Sequence, residues 1–329
     1  ARIDKIFAEL AGFLPDLIGR IIDAQAAAPA ALPLAGPFPV EKQRALGQSL
    51  MRRAGFDFNR GRLDVSLHPF CGGATDDVRI TTRYDEDDFM RALLGVLHET
   101  GHALYEQGLP AETRMQPAGG ARGMTAHESQ SLIIEMQATR TDEFLSWLAP
   151  AAAEAFDGAG AAWSAENFKR HCRKVERSFI RVDADEATYP AHVILRYRLE
   201  RALIDGALDL ADLPAAWNDG MTELLGVTPP DDRRGCLQDI HWPGGAFGYF
   251  PTYTLGAMTA AQLFAAATEQ NPDIRPGLAQ GDFAPLVTWL RENIHAKGCL
   301  SASAEALLSE ATGAPLDPQV FRRHLERRY

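Results

Sequence analysis

Apolar residues recur every three or four positions along most of this chain, the spacing of an α-helix with one buried face. The pattern predicts helix over residues 3–24, interrupted near Pro15, and again over 41–54, ending at Gly55. An Ala/Pro-rich connector, residues 27–39, joins them. The period then changes. "GRLDVSLHPF" and "DDVRITTRYD" alternate in side-chain character, which predicts a β pair near 62–67 and 77–83. From Asp85 helix returns: acidic residues precede a stripe of Phe89, Leu93, Val96, Leu97 and Leu104, and Gly108 ends it. A Gly-rich loop follows, then a long helix over 125–148. Further helices are expected at 164–182, 190–206, 211–225, 254–269, 283–295, 303–310 and 317–327. No internal repeat or sharp boundary breaks the run, so residues 1–329 read as one mainly α domain with a small sheet.

Composition narrows the function classes. A net charge of −11 argues against nucleic acid or an anionic membrane surface as the main partner. No run of about 18 apolar residues exists to span a bilayer. Cys71, Cys172, Cys236 and Cys299 are scattered, with no CxxC pair, which points to reduced thiols and a cytoplasmic protein. The chain opens at Ala1 rather than methionine, as expected of a processed or partial product.

The chemistry concentrates in "LHETGHALYEQG", residues 97–108. On a helix, His98 and His102 share one face and can offer two nitrogens to one divalent ion. Glu99 sits one residue round, off the ligand line but within reach of a water on that ion. Two ligands and a general base on one rigid element suit metal-assisted hydrolysis. A third protein ligand is required, and Glu128 in "TAHESQS" is the first candidate, with His127 as the fallback. A competing reading makes Thr125 and Glu128 a helix capping box.

Several motifs in order then carry a resemblance: "HPF" (68–70), "DVRIT" (77–81), "HETGH" (98–102), "HESQS" (127–131), "IRVDAD" (180–185), "GCLQDIHW" (235–242), "FGYFPTYTLG" (247–256) and "ATGAPLDP" (311–318). Together they resemble the carboxypeptidase Taq family of metallocarboxypeptidases. That resemblance implies a mainly α, multi-helix zincin-like peptidase fold with a small β-sheet beside the active-site helix. It implies removal of single residues from peptides with a free C-terminus. His98, His102 and Glu128 would be the ligands and Glu99 the base. Zinc would be the metal, with cobalt able to support activity, and the protein would be a homodimer. Family members are longer, with a helical region ahead of the segment matched here. Its absence would remove one wall of the groove, which raises the alternative of a metal- or peptide-binding module without turnover. Met136 stands where the family often has Asn.

Other roles follow from the reaction. A developing oxyanion needs donors, and His241, Tyr249 and then Tyr253 are the candidates. The competing reading makes the tyrosines core aromatics and bonds His241 to Asp239 or a carbonyl. A terminal carboxylate suits an arginine fork, and Arg181 is the first choice, held by Asp183 or Asp185. Arg79 is the second, unless it merely pairs with Asp77. Asp77 and Gln238 complete the expected substrate contacts. His68 reads as structural support beside Pro69. The terminal "FRRHLERRY" reads as a solvated basic helix end.

Overall fold

Burial of the apolar stripes builds this fold, and it ties each motif to a definite element. The computed structural model describes residues 2–329. Among these the chain order begins α1 (Arg2–Ala27), α2 (Val40–Arg53), β1 (Gly61–Val65), β2 (Phe70–Ala74) and β3 (Asp77–Thr82). Next come α3 (Phe89–Gly108), α4 (Gly123–Leu132), α5 (Asp142–Phe156), α6 (Ala165–Cys172) and α7 (Tyr189–Ile204). The last six are α8 (Leu213–Leu225), α9 (Pro251–Gln270), α10 (Ile274–Leu278), α11 (Ala284–Asn293), α12 (Ala304–Thr312) and α13 (Pro318–Arg328). Packing divides the chain into two compact units. The first holds the N-terminal stretch through Ala30, Arg173–Leu255 and Pro318–Tyr329. The second holds Ala31–Cys172 and Gly256–Asp317, so the division falls within α9.

In the first unit α1 packs on α7, α8 and α13. Its stripe of Phe7, Leu10, Leu14, Leu17, Ile18 and Ile21 is buried. The expected interruption at Pro15 does not occur; α1 runs through it. A proline inside a helix costs about 3 kcal/mol, while each buried Leu or Ile returns about 1.5–3 kcal/mol, so the stripe outweighs the lost hydrogen bond.

The second unit has a large apolar core, and α3 is its central element. Phe89, Leu93, Val96, Leu97, Leu104 and Tyr105 are all buried, and so are the polar Glu99, Thr100 and Gln107. Asp88 caps the helix by accepting from the Arg91 amide. Against α3 lies a three-stranded sheet in the order β1–β3–β2. The predicted pair is β1 and β3, which are parallel, with Leu63 opposite Ile80. The pattern missed β2, which pairs antiparallel with β3. Its sequence, "FCGGA", has little strand preference of its own, and β3 supplies the template.

Two other helices differ from expectation. The helix predicted over 125–148 is three segments: α4, a π turn over Ile133–Ala138, and α5. Thr141 caps α5 by accepting from the Phe144 amide at 3.2 Å. The helix predicted over 164–182 stops at Cys172. The Cys172 carbonyl accepts from Arg140 Nη1 at 2.9 Å. Beyond it the Val175 amide and carbonyl both bond to the Gln25 side chain instead of to helical neighbours.

Candidate metal centre

His98 and His102 face the same way because they are four residues apart on α3, their rings edge to face with centroids 5.0 Å apart. Glu128 reaches them from α4. The approach depends on two glycines. A Cβ at Gly101 would stand 2.2 Å from the Gln130 carbonyl, so α3 and α4 touch backbone to backbone there. A Cβ at Gly256 would stand 2.8 Å from both Cβ and Cγ of Glu128. The ligand-type atoms of His98, His102 and Glu128 all lie within 4.8 Å of one another. Glu128 Oε2 is 3.4 Å from His102 Nε2 and 4.0 Å from His98 Nε2. Atoms sharing a tetrahedral ion at ~2 Å each would be roughly 3.3 Å apart, so the set fits one ion closely. Helix α4 starts at Gly123 with Arg122 as its cap residue, so Thr125 and Glu128 form no capping box and the carboxylate is left to the histidines.

Each ligand-type histidine is oriented from behind. His98 Nδ1 donates to Glu135 Oε2 at 3.0 Å, and Arg140 Nη2 donates to the other oxygen of Glu135 at 2.9 Å. His102 Nδ1 lies 2.7 Å from His127 Nδ1. His127 Nε2 in turn lies 2.8 Å from Glu106 Oε1. His127, the fallback ligand, thus stands behind His102 rather than beside it. Neither Glu135 nor Glu106 was expected from the sequence. Glu135 lies in the π turn, and Glu106 is one helical turn after His102.

The charge balance also fits a divalent cation. Glu99, Glu128 and Glu135 lie close together, and among the described residues the guanidinium paired with this group is Arg140, on Glu135. Burial raises the Glu99 carboxyl to about 6, with Glu128 and Glu135 pushing the same way against His98. Burial would lower the His98 imidazole, but the Glu135 hydrogen bond and the surrounding carboxylates raise it to about 10. Burial would also raise Glu128; its hydrogen bond to His102 and the two imidazole charges hold it below the ordinary range instead.

The remaining candidates divide between the units. Asp77 and Arg79 are exposed on β3 and pair with each other, Arg79 Nη2 donating to Asp77 Oδ2 at 2.7 Å. His68 is exposed, and its carbonyl accepts from Ser66 and Thr81, a structural role for the turn before β2.

The first unit gathers the others. Arg181 is buried and donates through Nε and Nη2 to Asp239 Oδ1 at 3.0 and 2.8 Å, and through Nη1 to the Tyr189 hydroxyl at 2.7 Å. The holding carboxylate is therefore Asp239, not Asp183 or Asp185. Asp185 instead accepts from the Glu176, Ala187 and Thr188 amides, bracing its own turn. Gln238 accepts from the Arg181 amide at 2.8 Å and donates to the carbonyls of Phe179, Arg234 and Gly235. His241 Nε2 lies 3.0 Å from the Tyr253 hydroxyl, and the Tyr249 ring is 5.7 Å from that imidazole. The Arg181 guanidinium lies 5.0 Å from the Tyr253 ring centre.

Two imidazoles and a carboxylate on adjoining helices, with a buried carboxylate next to the first imidazole, define a helix-borne HExxH metal centre. The profile of the carboxypeptidase Taq (M32) metallopeptidases matches residues 1–329, and the chain belongs to that family. Thermostable carboxypeptidase 1 of Thermus thermophilus is 43% identical over 325 residues, covering 98% of this chain and 63% of that protein. Carboxypeptidase 1 of Bacillus subtilis is 38% identical, covering 99% of this chain and 65% of that one. Among solved structures, metallocarboxypeptidase 1 of Trypanosoma cruzi superposes with a TM-score of 0.96 at 46% identity, covering all of this chain and 68% of its own. The chain thus spans less than two thirds of the length of the curated relatives it matches first. No helix among the described residues is long and apolar enough to cross a membrane.

Proposed function

We propose that this chain is a zinc-dependent carboxypeptidase that releases single residues from the free C-terminus of peptides, with cobalt as a working substitute. The convergence of His98, His102 and Glu128 beside the buried Glu99 supports this reading most directly. His98 and His102 would hold the ion through Nε2, and Glu128 through its carboxylate. The bound ion supplies Lewis-acid chemistry, lowering the pKa of water and polarising a carbonyl. Glu99 takes the proton of the attacking water and hands it to the leaving amine, a role supported by its burial one residue round from His98.

For substrate recognition, Arg181 is proposed to bind the terminal carboxylate. The support is charge: around Asp239 two buried guanidiniums, Arg181 and Arg196, share one carboxylate. Asp239 and Gln238 act as positioning residues, since their bonds run to Arg181 itself. Tyr249, Tyr253 and His241 are proposed as oxyanion donors, supported by their mutual packing. Asp77 and Arg79 are proposed as a secondary substrate contact. A homodimer is proposed on the family resemblance. A cytoplasmic location is supported by the free thiols of all four cysteines.

The test is product analysis on short peptides. Stepwise loss of C-terminal residues is expected, abolished by a chelator and restored by zinc, while C-terminally amidated peptides resist. Equal cutting of amidated peptides overturns the exopeptidase reading. One bound zinc per chain with no turnover of any peptide overturns catalysis but leaves the metal centre standing.

A further inference from the structure

Resting on the metal-centre reading, we propose that His127 and Glu106 form a positioning relay that fixes His102 as a ligand through its Nε2 atom. The relay follows from donor and acceptor counting. A carboxylate only accepts, so the 2.8 Å contact between His127 Nε2 and Glu106 Oε1 requires the hydrogen on His127 Nε2. One hydrogen bridges the two Nδ1 atoms of His127 and His102, which lie 2.7 Å apart. On the metal-centre reading Nε2 of His102 is given to the ion, so that hydrogen belongs to His102 Nδ1 and His127 Nδ1 accepts it. His102 is thereby left with its lone pair on Nε2, the atom that faces Glu128.

The two ligand histidines are thus oriented by different devices. His98 has a carboxylate directly behind it, whereas His102 reaches its carboxylate through an intervening imidazole. The geometry gives a reason. Glu106 is four residues after His102 on the same helix, and His127 immediately precedes Glu128 on the next. The relay therefore closes a ring from α3 to α4 and back, tying the ligand of one helix to the segment carrying the ligand of the other. His127 is largely buried and packs on the Tyr105 ring at 5.3 Å, so its side chain is held for the task. Outer partners of metal-bound histidines set the tautomer and ring orientation, and their loss typically weakens metal binding about 10–100-fold.

Zinc affinity of the full chain, read by competition with a chromophoric chelator, tests the relay without reference to turnover. His127→Phe keeps the ring volume and removes both hydrogen bonds; zinc binding is expected to weaken about 10–100-fold. In His127→Gln one amide can accept from His102 and donate to Glu106, and affinity is expected to return to within about threefold of wild type. Glu106→Ala, at the more exposed end of the relay, is expected to cost about tenfold. In nitrogen–proton spectra of the zinc-loaded chain, His102 should appear as the Nδ1–H tautomer. Zinc affinity within twofold of wild type in His127→Phe overturns the proposal. Should that variant fail to fold, unchanged affinity in Glu106→Ala overturns it equally. A wild-type chain that takes up no zinc removes the centre itself, and with it the relay; a chain that binds zinc regardless of residue 127 removes the relay alone.

Discussion

The two units bury charge of opposite sign. In the second, three carboxylates, Glu99, Glu128 and Glu135, gather around two imidazoles, and Arg140 pairs with Glu135. In the first, Arg181 and Arg196 gather around the single carboxylate of Asp239. A buried charge without a partner is costly, so each surplus is stable only if a ligand, a proton or a shifted pKa answers it. In the second unit burial would lower the His98 imidazole, but the Glu135 hydrogen bond and the surrounding carboxylates raise it to about 10. The first cannot shed charge so readily. Burial lowers Arg196 to about 10, and it stays cationic at neutral pH. One cluster therefore has a surplus of carboxylates and the other a surplus of guanidiniums. A peptidase acting on free C-termini needs both, which is the reading proposed above.

The largest effect is expected from removing the Glu99 carboxylate. Glu99→Gln should keep its zinc and lose at least about a hundredfold in rate, the usual scale for a general base. Metal analysis alongside turnover checks this, and loss of zinc in that variant would make Glu99 a structural member of the cluster instead.

Next comes the hinge of the opposite cluster. Asp239→Asn leaves two guanidiniums without their carboxylate and should destabilise the fold by about 3–5 kcal/mol. Burial alone would raise the Asp239 carboxyl, but Arg196 and Arg181 hold it below the ordinary range. Its contribution is therefore present above about 3.9, the unfolded value, and fades as pH falls through the lower folded value. Denaturant unfolding at several pH values should show wild type converging on the variant only in strong acid. A constant gap down to pH 3 would mean another group carries the effect.

Gly256→Ala sharpens the comparison from the metal side. The added methyl meets Glu128 at 2.8 Å, and the carboxylate must move. Zinc affinity is expected to fall about tenfold, with a stability loss of about 1–3 kcal/mol from overpacking. The smallest effect belongs to Arg79→Ala. This pair with Asp77 is exposed and screened by solvent, so denaturant unfolding should find the variant as stable as wild type. Any change in KM would then report on substrate contact.

Some of this was legible in the residues alone. The i and i+4 spacing of His98 and His102 is a local property of a helix, and the stripe of Phe89, Leu93 and Val96 made that helix readable. Glu128 was accessible because it lies on the next helix along the chain. The partner of Arg181 was misassigned, because Asp183 and Asp185 are near in sequence and Asp239 is near only in space. Glu135 and Glu106 carried no signal, since an outer carboxylate needs only to reach one imidazole nitrogen.

The residues alone specified the mainly helical chain, the shared face of His98 and His102 and the carboxylate of Glu99 beside them, because periodicity and short spacing are set within one or two helical turns. Tertiary structure decided what contacts between distant segments decide. It carried α1 through Pro15, turned 133–138 into a π segment, and gave β2 its partner. It also set an imidazole behind one ligand and a carboxylate behind the other. Those outcomes depend on burial and on unsatisfied donors and acceptors finding each other across the fold, which no local pattern records.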